Sequence, residues 1–233
     1  IIGKITGFGE ENDRVAYDLI LQAETGFMSM NGTKESGPVK MPIALIDVLA
    51  AHQLKEGILV ALLDRISSGQ GRTVSVSLYD AAISSLANQA SNYLMSQQIP
   101  QRIGSLHPNI APYGEIFSTK DGFQITIAIG SDVHFQKLGS VLSLPELAQD
   151  QRFLSNQQRV KNRSELADIL KDKLEHVEAD DFLRQCHEMY IPAARIKNLA
   201  EVFQDQSAQQ LVCQEEISGI NSKRVTSIAF KWK

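Results

Sequence analysis

Apolar residues in the first part of the chain switch between a period of two and a helical period, and few folds accept that order. Ile1-Ile2-Gly3-Lys4-Ile5-Thr6, followed by Gly7-Phe8-Gly9, reads as a buried strand ending in a glycine turn. Asp13 is a candidate cap for a helix through about Met28, with Val15, Leu19, Gln22 and Ala23 at helical spacing. Asn31 to Pro38, rich in Gly, Ser and Lys, reads as a loop. From Asp47 to Ser68, the series Leu49, Leu54, Ile58, Leu62 and Ile66 predicts a long helix that Gly69-Gln70-Gly71 ends, and Asp47 then falls at or beside its N-terminus. Val74, Val76 and Leu78 alternate with Thr73, Ser75 and Ser77 as a half-buried strand, and Asp80 opens a third helix to about Met95. Such alternation predicts an α/β fold. The first strand has no earlier partner and the chain does not open on Met, so further sequence upstream is expected.

Gln97 to Pro112, with three prolines and Gly104, breaks the rhythm and is the candidate domain boundary. Beyond it, Ile116 to Thr119, the turn Lys120-Asp121-Gly122 and Phe123 to Ala128 predict a hairpin. Helices are expected around Asp132 to Leu142, Arg163 to His176 and Ala179 to Glu188, with Asp132, Ser164 and Asp180 as caps. A short helix near Leu199 to Asp205 and strands at Leu211 to Ile217 and Arg224 to Phe230 complete the pattern. The expected organisation is part of a large domain over 1–97, a linker or active-site loop over 98–112, a small α+β domain over 113–192 and a return segment over 193–233.

Composition narrows the function classes. The 233 residues are 43% hydrophobic and 21% charged, which suits a globular protein with a real core. A net charge of -4 with scattered basic residues offers no electrostatic footprint for nucleic acid or an anionic membrane surface. Cys186 and Cys213 lie far apart and outside any CxxC or Cys/His ligand pattern, so neither a metal site nor a disulfide is expected. No apolar run approaches the roughly 18 residues of a membrane span, and no signal-peptide order opens the chain. A cytoplasmic or organelle-matrix protein is the expectation.

There is no phosphate-binding glycine loop, GxSxG, HExxH or reactive-cysteine signature, which leaves carboxylates as candidates for chemistry. Asp47 ends the apolar run Ile43-Ala44-Leu45-Ile46 and precedes a long helix, where amides and the helix dipole favour an ionised carboxylate. Read alone, that is a helix cap. Asp18 beside Tyr17 reads as a solvated helix face, Asp80 as a cap, and His107 before Pro108 as a loop histidine.

Several stretches in order resemble the class III coenzyme A transferases of the CaiB/BaiF family. Gly7-Phe8-Gly9 and then Tyr17 to Gly26 are similar to that family's GxG and YDxxxQAxSG segments. Ile46-Asp47, Gly57 to Arg65 and Ser68 to Gly71 are similar to ADxxxGxxxxxGILAALxxRxxTGxGQ. Val76 to Ala81, Ala87 to Leu94, His107 to Tyr113, and Leu144 to Arg163, similar to PELAxDxRFxTNxxRVxNR, continue the series.

The resemblance implies part of a Rossmann-like large domain plus a small α+β domain, in a family of interlocked homodimers. It implies acyl-CoA and a carboxylic acid acceptor as partners, coenzyme A entering as part of the substrate, and no separate cofactor. It gives Asp47 the role of nucleophile and Asp18 that of orienting the acyl carboxylate or tuning Asp47. Tyr17 and Gln22 become neighbouring substrate contacts. His107, Asn109 and Tyr113 fall on the loop that the family runs over its active site, and that loop resembles the dicarboxylate (succinyl-CoA type) members more than the formyl-CoA ones.

Two departures are visible. Ala51 stands where the family keeps a glycine four residues after the aspartate, and its methyl group is expected to crowd the site; the family's N-terminal portion, with most coenzyme A contacts, has no counterpart here. The related α-methylacyl-CoA racemases pair the aspartate with a histidine where this chain has Tyr17, and a phenol with a pKa of about 10 is a poor base at neutral pH. A racemase-like isomerase and a catalytically silent fragment acting in assembly are the alternative expectations.

Overall fold

The computed structural model describes residues 1–231, so the last two residues of the expected return segment lie outside the described residues. The chain forms two compact units, Ile1–Gly104 and Ser105–Lys233.

In the first unit, strand β1 (Ile2–Thr6) lies parallel to β2 (Thr73–Ser77), with Ile2 opposite Thr73 and Thr6 opposite Ser77. Parallel strands need a crossover. It consists of α1 (Asp18–Glu24), α2 (Phe27–Met30) and the 24-residue α3 (Leu45–Ser68). The expected helix from Asp13 begins only at Asp18, because the preceding segment is held elsewhere: the Arg14 amide donates to Asn12 Oδ1, and its guanidinium pairs with Glu24 and lies over the Phe8 ring. Gly26, at φ +92°, then separates α1 from α2. α3 stops at Gly69, whose φ of +67° and N–H bond to the Arg65 carbonyl (2.9 Å) form a left-handed C-terminal cap.

The third expected helix is two: α4 (Leu78–Ser84) and α5 (Ala87–Ser96). Ser77, not Asp80, caps α4. Its Oγ accepts the Asp80 amide at 2.9 Å and donates to Asp80 Oδ2 at 2.6 Å, so the aspartate sits three residues inside the cap. Leu21, Ile46, Ala50, Leu78, Ala81 and Ala82 form the core, and its alanines let α1, α3 and α4 approach closely. At Gly57 a Cβ would lie 2.6 Å from Val74 Cγ1, so the missing side chain seats α3 on β2. Elsewhere on α3, Leu59, Val60, Leu63 and Ile66 are exposed.

In the second unit, β3 (Tyr113–Ser118), β4 (Gln124–Ala128) and β5 (Ala193–Arg195) form an antiparallel sheet in that order, with a register shift between Tyr113 and Ile116. Against it pack α6 (Asp132–Val141), a 3-10 turn at Pro145–Gln149, α7 (Asn156–Lys161), α8 (Arg163–Leu174) and α9 (Ala179–Glu188). Ile125, Ile127, Phe135, Leu138, Leu166 and Leu170 are at the centre of the core. The expected caps move by a residue or more: Ser131 caps α6, Asn162 precedes α8, and the Asp121 carboxylate takes the first amide of α9, that of Ala179.

Two short helices, α10 (Leu199–Val202) and α11 (Gln206–Gln209), lead to the hairpin β6 (Val212–Ile217) and β7 (Ile220–Val225). The strand expected at Arg224 to Phe230 starts earlier because Ser218 (φ +52°) and Gly219 (φ +79°) make a two-residue turn that sets Ile217 opposite Ile220. Among the described residues no helix is long and apolar enough to cross a membrane.

Gly114 ties the start of β3 to the loop before it. At φ +90° it occupies left-handed space, and a Cβ there would overlap the Ser105 carbonyl oxygen, which is backbone and cannot swing away. Gly114→Ala is expected to destabilise the second unit by about 2–4 kcal/mol, read as a lowered urea midpoint at unchanged m-value.

Candidate active site

Asp47 is the third residue of α3, on the turn where a helix presents amides without intrahelical acceptors. Leu45 N–H is taken by the Ile43 carbonyl at 2.9 Å and Ile46 N–H by Asp18 Oδ1 at 2.8 Å, while Val48 N–H makes the first bond of the helix ladder, to the Ala44 carbonyl at 3.1 Å. That leaves, among the described residues, the amide of Asp47 itself. Asp18 therefore caps α3 from a different helix, twenty-eight residues back in the chain. Its position is fixed in turn by Gln22, which is fully buried, donates from Nε2 to Asp18 Oδ2 at 2.6 Å and accepts the Met41 amide at 2.7 Å.

Two carboxylates thus share one helix N-terminus. Asp47 is exposed at its surface yet its carboxyl lies above the ordinary aspartate range, first because neighbouring protein partly strips its water and second because the Asp18 charge opposes its ionisation. Raised basicity makes a carboxylate a better nucleophile, while the dipole of α3 favours its ionised form. Tyr17, 70% exposed, stands just before α1 and next to Asp18. Ala51 is exposed one turn after Asp47.

Asp18 can be tested apart from Asp47. Asp18→Asn keeps an oxygen for the Ile46 amide and removes the charge, so the Asp47 carboxyl is expected to titrate lower, with about 1 kcal/mol of stability lost because the Asn amide no longer accepts from Gln22 Nε2. Asp18→Ala removes both, and is expected to cost a further 0.5–2 kcal/mol or so through the lost cap. Carbon-13 NMR titration of the aspartate carboxyls together with thermal unfolding separates the two effects. An unchanged Asp47 titration in both variants would rule out the electrostatic coupling.

The remaining predicted residues belong to the second unit. His107 N–H bonds the Tyr113 carbonyl at 2.9 Å, their rings stand 5.0 Å apart, and the Asn109 amide donates to His107 Nδ1 at 3.1 Å. An Nδ1 that accepts puts the neutral ring's proton on Nε2, which is then a donor suited to a carboxylate. His107, Asn109 and Tyr113 form one closed loop, while Tyr17, Asp18, Gln22 and Asp47 cluster in the first unit.

Sequence reasoning missed the residues that hold this loop: Asn156, Arg159 and Arg163, all of which bond its backbone. Their signal is two arginines four apart with an asparagine three before, inside the Leu144 to Arg163 stretch that resembles the family. Among the described residues no group of three or more His, Cys, Asp and Glu side chains is arranged to hold a metal ion. Burial pushes the Cys186 thiol up to about 12, which leaves it unreactive at neutral pH.

Comparison with known proteins fits this geometry into a family. Succinate–glutarate CoA-transferase of Agrobacterium fabrum is 36% identical over 208 residues, covering 88% of this chain and 52% of that protein. Human succinyl-CoA:glutarate CoA-transferase is 30% identical over 202 residues, covering 85% and 46%. The chain spans about half the length of the curated relatives it matches. Among solved structures, a CaiB/BaiF family protein from Brucella suis superposes with a TM-score of 0.75 at 35% identity, over 98% of this chain and 60% of that one. Rv3272 of M. tuberculosis does so at 0.83 with 25% identity, over 99% and 62%. The model of CoA-transferase family III matches residues 1–232. Carrying that match over nearly its whole length, with the mixed α/β fold of the CaiB/BaiF structures, the chain belongs to CoA-transferase family III.

Proposed function

We propose that the protein is an acyl-CoA:carboxylic acid CoA-transferase in which Asp47 carries the covalent chemistry. The observation that supports this most directly is the placing of Asp47 on the first turn of α3, beside its own free amide and the charge of Asp18. In the proposed sequence an Asp47 oxygen attacks the thioester carbon, the C–S bond breaks, and coenzyme A leaves as a thiolate from a mixed anhydride. The thiolate then attacks the aspartyl carbonyl and expels the donor acid, leaving an aspartyl-CoA thioester. The acceptor carboxylate attacks that thioester, releasing the thiolate again, which takes the acceptor's acyl carbon and frees Asp47. Each tetrahedral oxyanion needs a donor, and the Asp47 amide is the one that the first turn of α3 leaves for the task. No resident metal or cofactor enters the balance, and coenzyme A is substrate.

Asp18, held by Gln22, tunes Asp47 in this reading. Tyr17 offers a phenol to the acyl group, and His107, Asn109 and Tyr113 recognise a carboxylate through the Nε2–H, amide and hydroxyl they carry. A succinyl donor and a short dicarboxylate acceptor are the proposed substrates, supported by the names of the relatives and by a loop whose donors suit a second carboxylate. The exposed apolar strip Leu59, Val60, Leu63 and Ile66 on α3 supports a homodimer as the working state. Sedimentation at micromolar concentration is expected to return a dimer mass; a monomer stable under those conditions would count against that part.

Trapping tests the chemistry. With succinyl-CoA and hydroxylamine, peptide mass spectrometry is expected to find a hydroxamate at Asp47. Coenzyme A binding without any label at Asp47 would sink the covalent mechanism and favour proton transfer at the α-carbon. Absence of binding would leave a silent assembly role.

A further inference from the structure

Every backbone acceptor but one on the span His107 to Ala111 is taken by a side chain from α7 or α8. Arg163 Nη2 donates to the His107 carbonyl at 2.6 Å and also to the Ile110 carbonyl. Asn156 Nδ2 donates to the Asn109 carbonyl at 2.8 Å, while its Oδ1 accepts the Ala111 amide at 3.2 Å. Arg159 Nε donates to the Ala111 carbonyl at 2.9 Å. Asn156 and Arg159 lie one turn apart on α7, and Arg163 opens α8 directly after the break at Asn162. The loop is closed at its base by the His107–Tyr113 and Ser105–Gly114 bonds, and the clamp then fixes its tip.

The charges are arranged for the same end. Arg163 is nearly buried, with Glu115 as its ion-pair partner at 3.6 Å. Both Glu115 carboxylate oxygens are buried and lack a hydrogen-bond partner among the described residues, and Glu115 faces Arg163 Nε, so Nη2 is left for the two loop carbonyls. A carboxylate that bonded the guanidinium face to face would take up the Arg163 fork. The backbone that carries His107 and Asn109 is thereby held from both sides.

We propose that Asn156, Arg159 and Arg163 are positioning residues that lock the His107–Tyr113 loop in one shape, and that this lock sets the affinity for the acceptor acid. The second half rests on the transferase reading above; the first does not. Hydrogen exchange on the intact protein tests it directly. Asn156→Ala and Arg163→Lys, the latter keeping the charge opposite Glu115 but losing the planar fork, are each expected to speed exchange of the His107, Asn109 and Ala111 amides about tenfold, as the loss of about 1.4 kcal/mol of local stability requires. The amides of β4 and α8 are expected to keep their wild-type rates.

In the transfer assay the same variants are expected to raise the acceptor KM about tenfold with kcat changed less than about twofold, the signature of lost uniform binding. Unchanged exchange at residues 107–111 would overturn the clamp. Faster exchange with an unchanged acceptor KM would overturn the link to the acceptor. Should wild-type protein transfer nothing, the transferase reading falls and exchange still decides the clamp.

Discussion

Asp47→Asn is expected to lower the transfer rate by about four orders of magnitude or more and to leave the fold intact, because the amide matches the carboxylate in shape but cannot form an anhydride. Stability gives an independent reading of the same variant. The folded protein holds a proton on Asp47 to higher pH than the unfolded chain does, since partial desolvation and the Asp18 charge oppose ionisation only in the folded state. Between the ordinary aspartate pKa of about 3.9 and the raised folded value, the native state binds more protons. The stability contributed by the neutral carboxyl is therefore complete below that window and lost as pH rises through it. Asn does not titrate, so the variant is expected to match the wild type below about pH 3.9 and to exceed it at neutral pH. Activity lost while neutral-pH stability rises would mark Asp47 as a residue kept strained for chemistry. A variant equally active would end the nucleophile assignment, and one destabilised at neutral pH would mean that Asp47 is chiefly a helix cap.

What could be read from the chain follows the range of the interactions. α3 was legible because a long helical period ends in a glycine that must adopt positive φ, and both signals are local. The β3–β4 hairpin was legible for the same reason. Asp80 was assigned as a cap because Ser77 and Asp80 are both capping residues in one Ser-x-x-Asp box, and only the backbone path shows which one stands outside the helix. β7 was shifted because Ser218 takes a positive φ that its side chain does not announce. In the candidate site, the residues alone single out Asp47 among the acids but only as a helix cap; the resemblance to the CoA-transferases is what gives it the role of nucleophile. The cap that Asp18 provides to α3 was illegible, because no local pattern links an acid on one helix to the first turn of another. Nor did polar residues at helical spacing announce the clamp: in a sequence such a stripe reads as a solvated face, and Arg159 is fully buried.

Arg159→Met is expected to be the most damaging single change in the second unit. The side chain is 0% exposed and its three nitrogens are each engaged: Nε with the Ala111 carbonyl at 2.9 Å, Nη1 with the Phe153 carbonyl at 3.0 Å and Nη2 with Asp132 Oδ1 at 2.7 Å. The guanidinium also lies 4.5 Å from the centre of the Phe135 ring. Methionine fills similar volume and regains apolar contact with Phe135, so packing loss is small. It donates nothing, however, and two carbonyls are left without their donor, with Asp132 losing its partner. Asp132 is half exposed and water can take its place there. The cost falls on the carbonyls of Ala111 and Phe153, and it should come to about 3–5 kcal/mol, within the range seen when one partner of a buried charged pair is removed. Arg159→Lys keeps the charge but offers a point donor in place of a fork, and is expected to recover less than half of the loss. Asp132→Asn keeps an acceptor at the exposed end and is expected to cost only about 1 kcal/mol. Urea unfolding followed by circular dichroism ranks the three. If Met and Asn substitutions prove equally mild, Arg159 contributes chiefly through its ion pair with Asp132; if Met alone is severe, its main task is to satisfy the backbone of the loop that carries His107 and Tyr113.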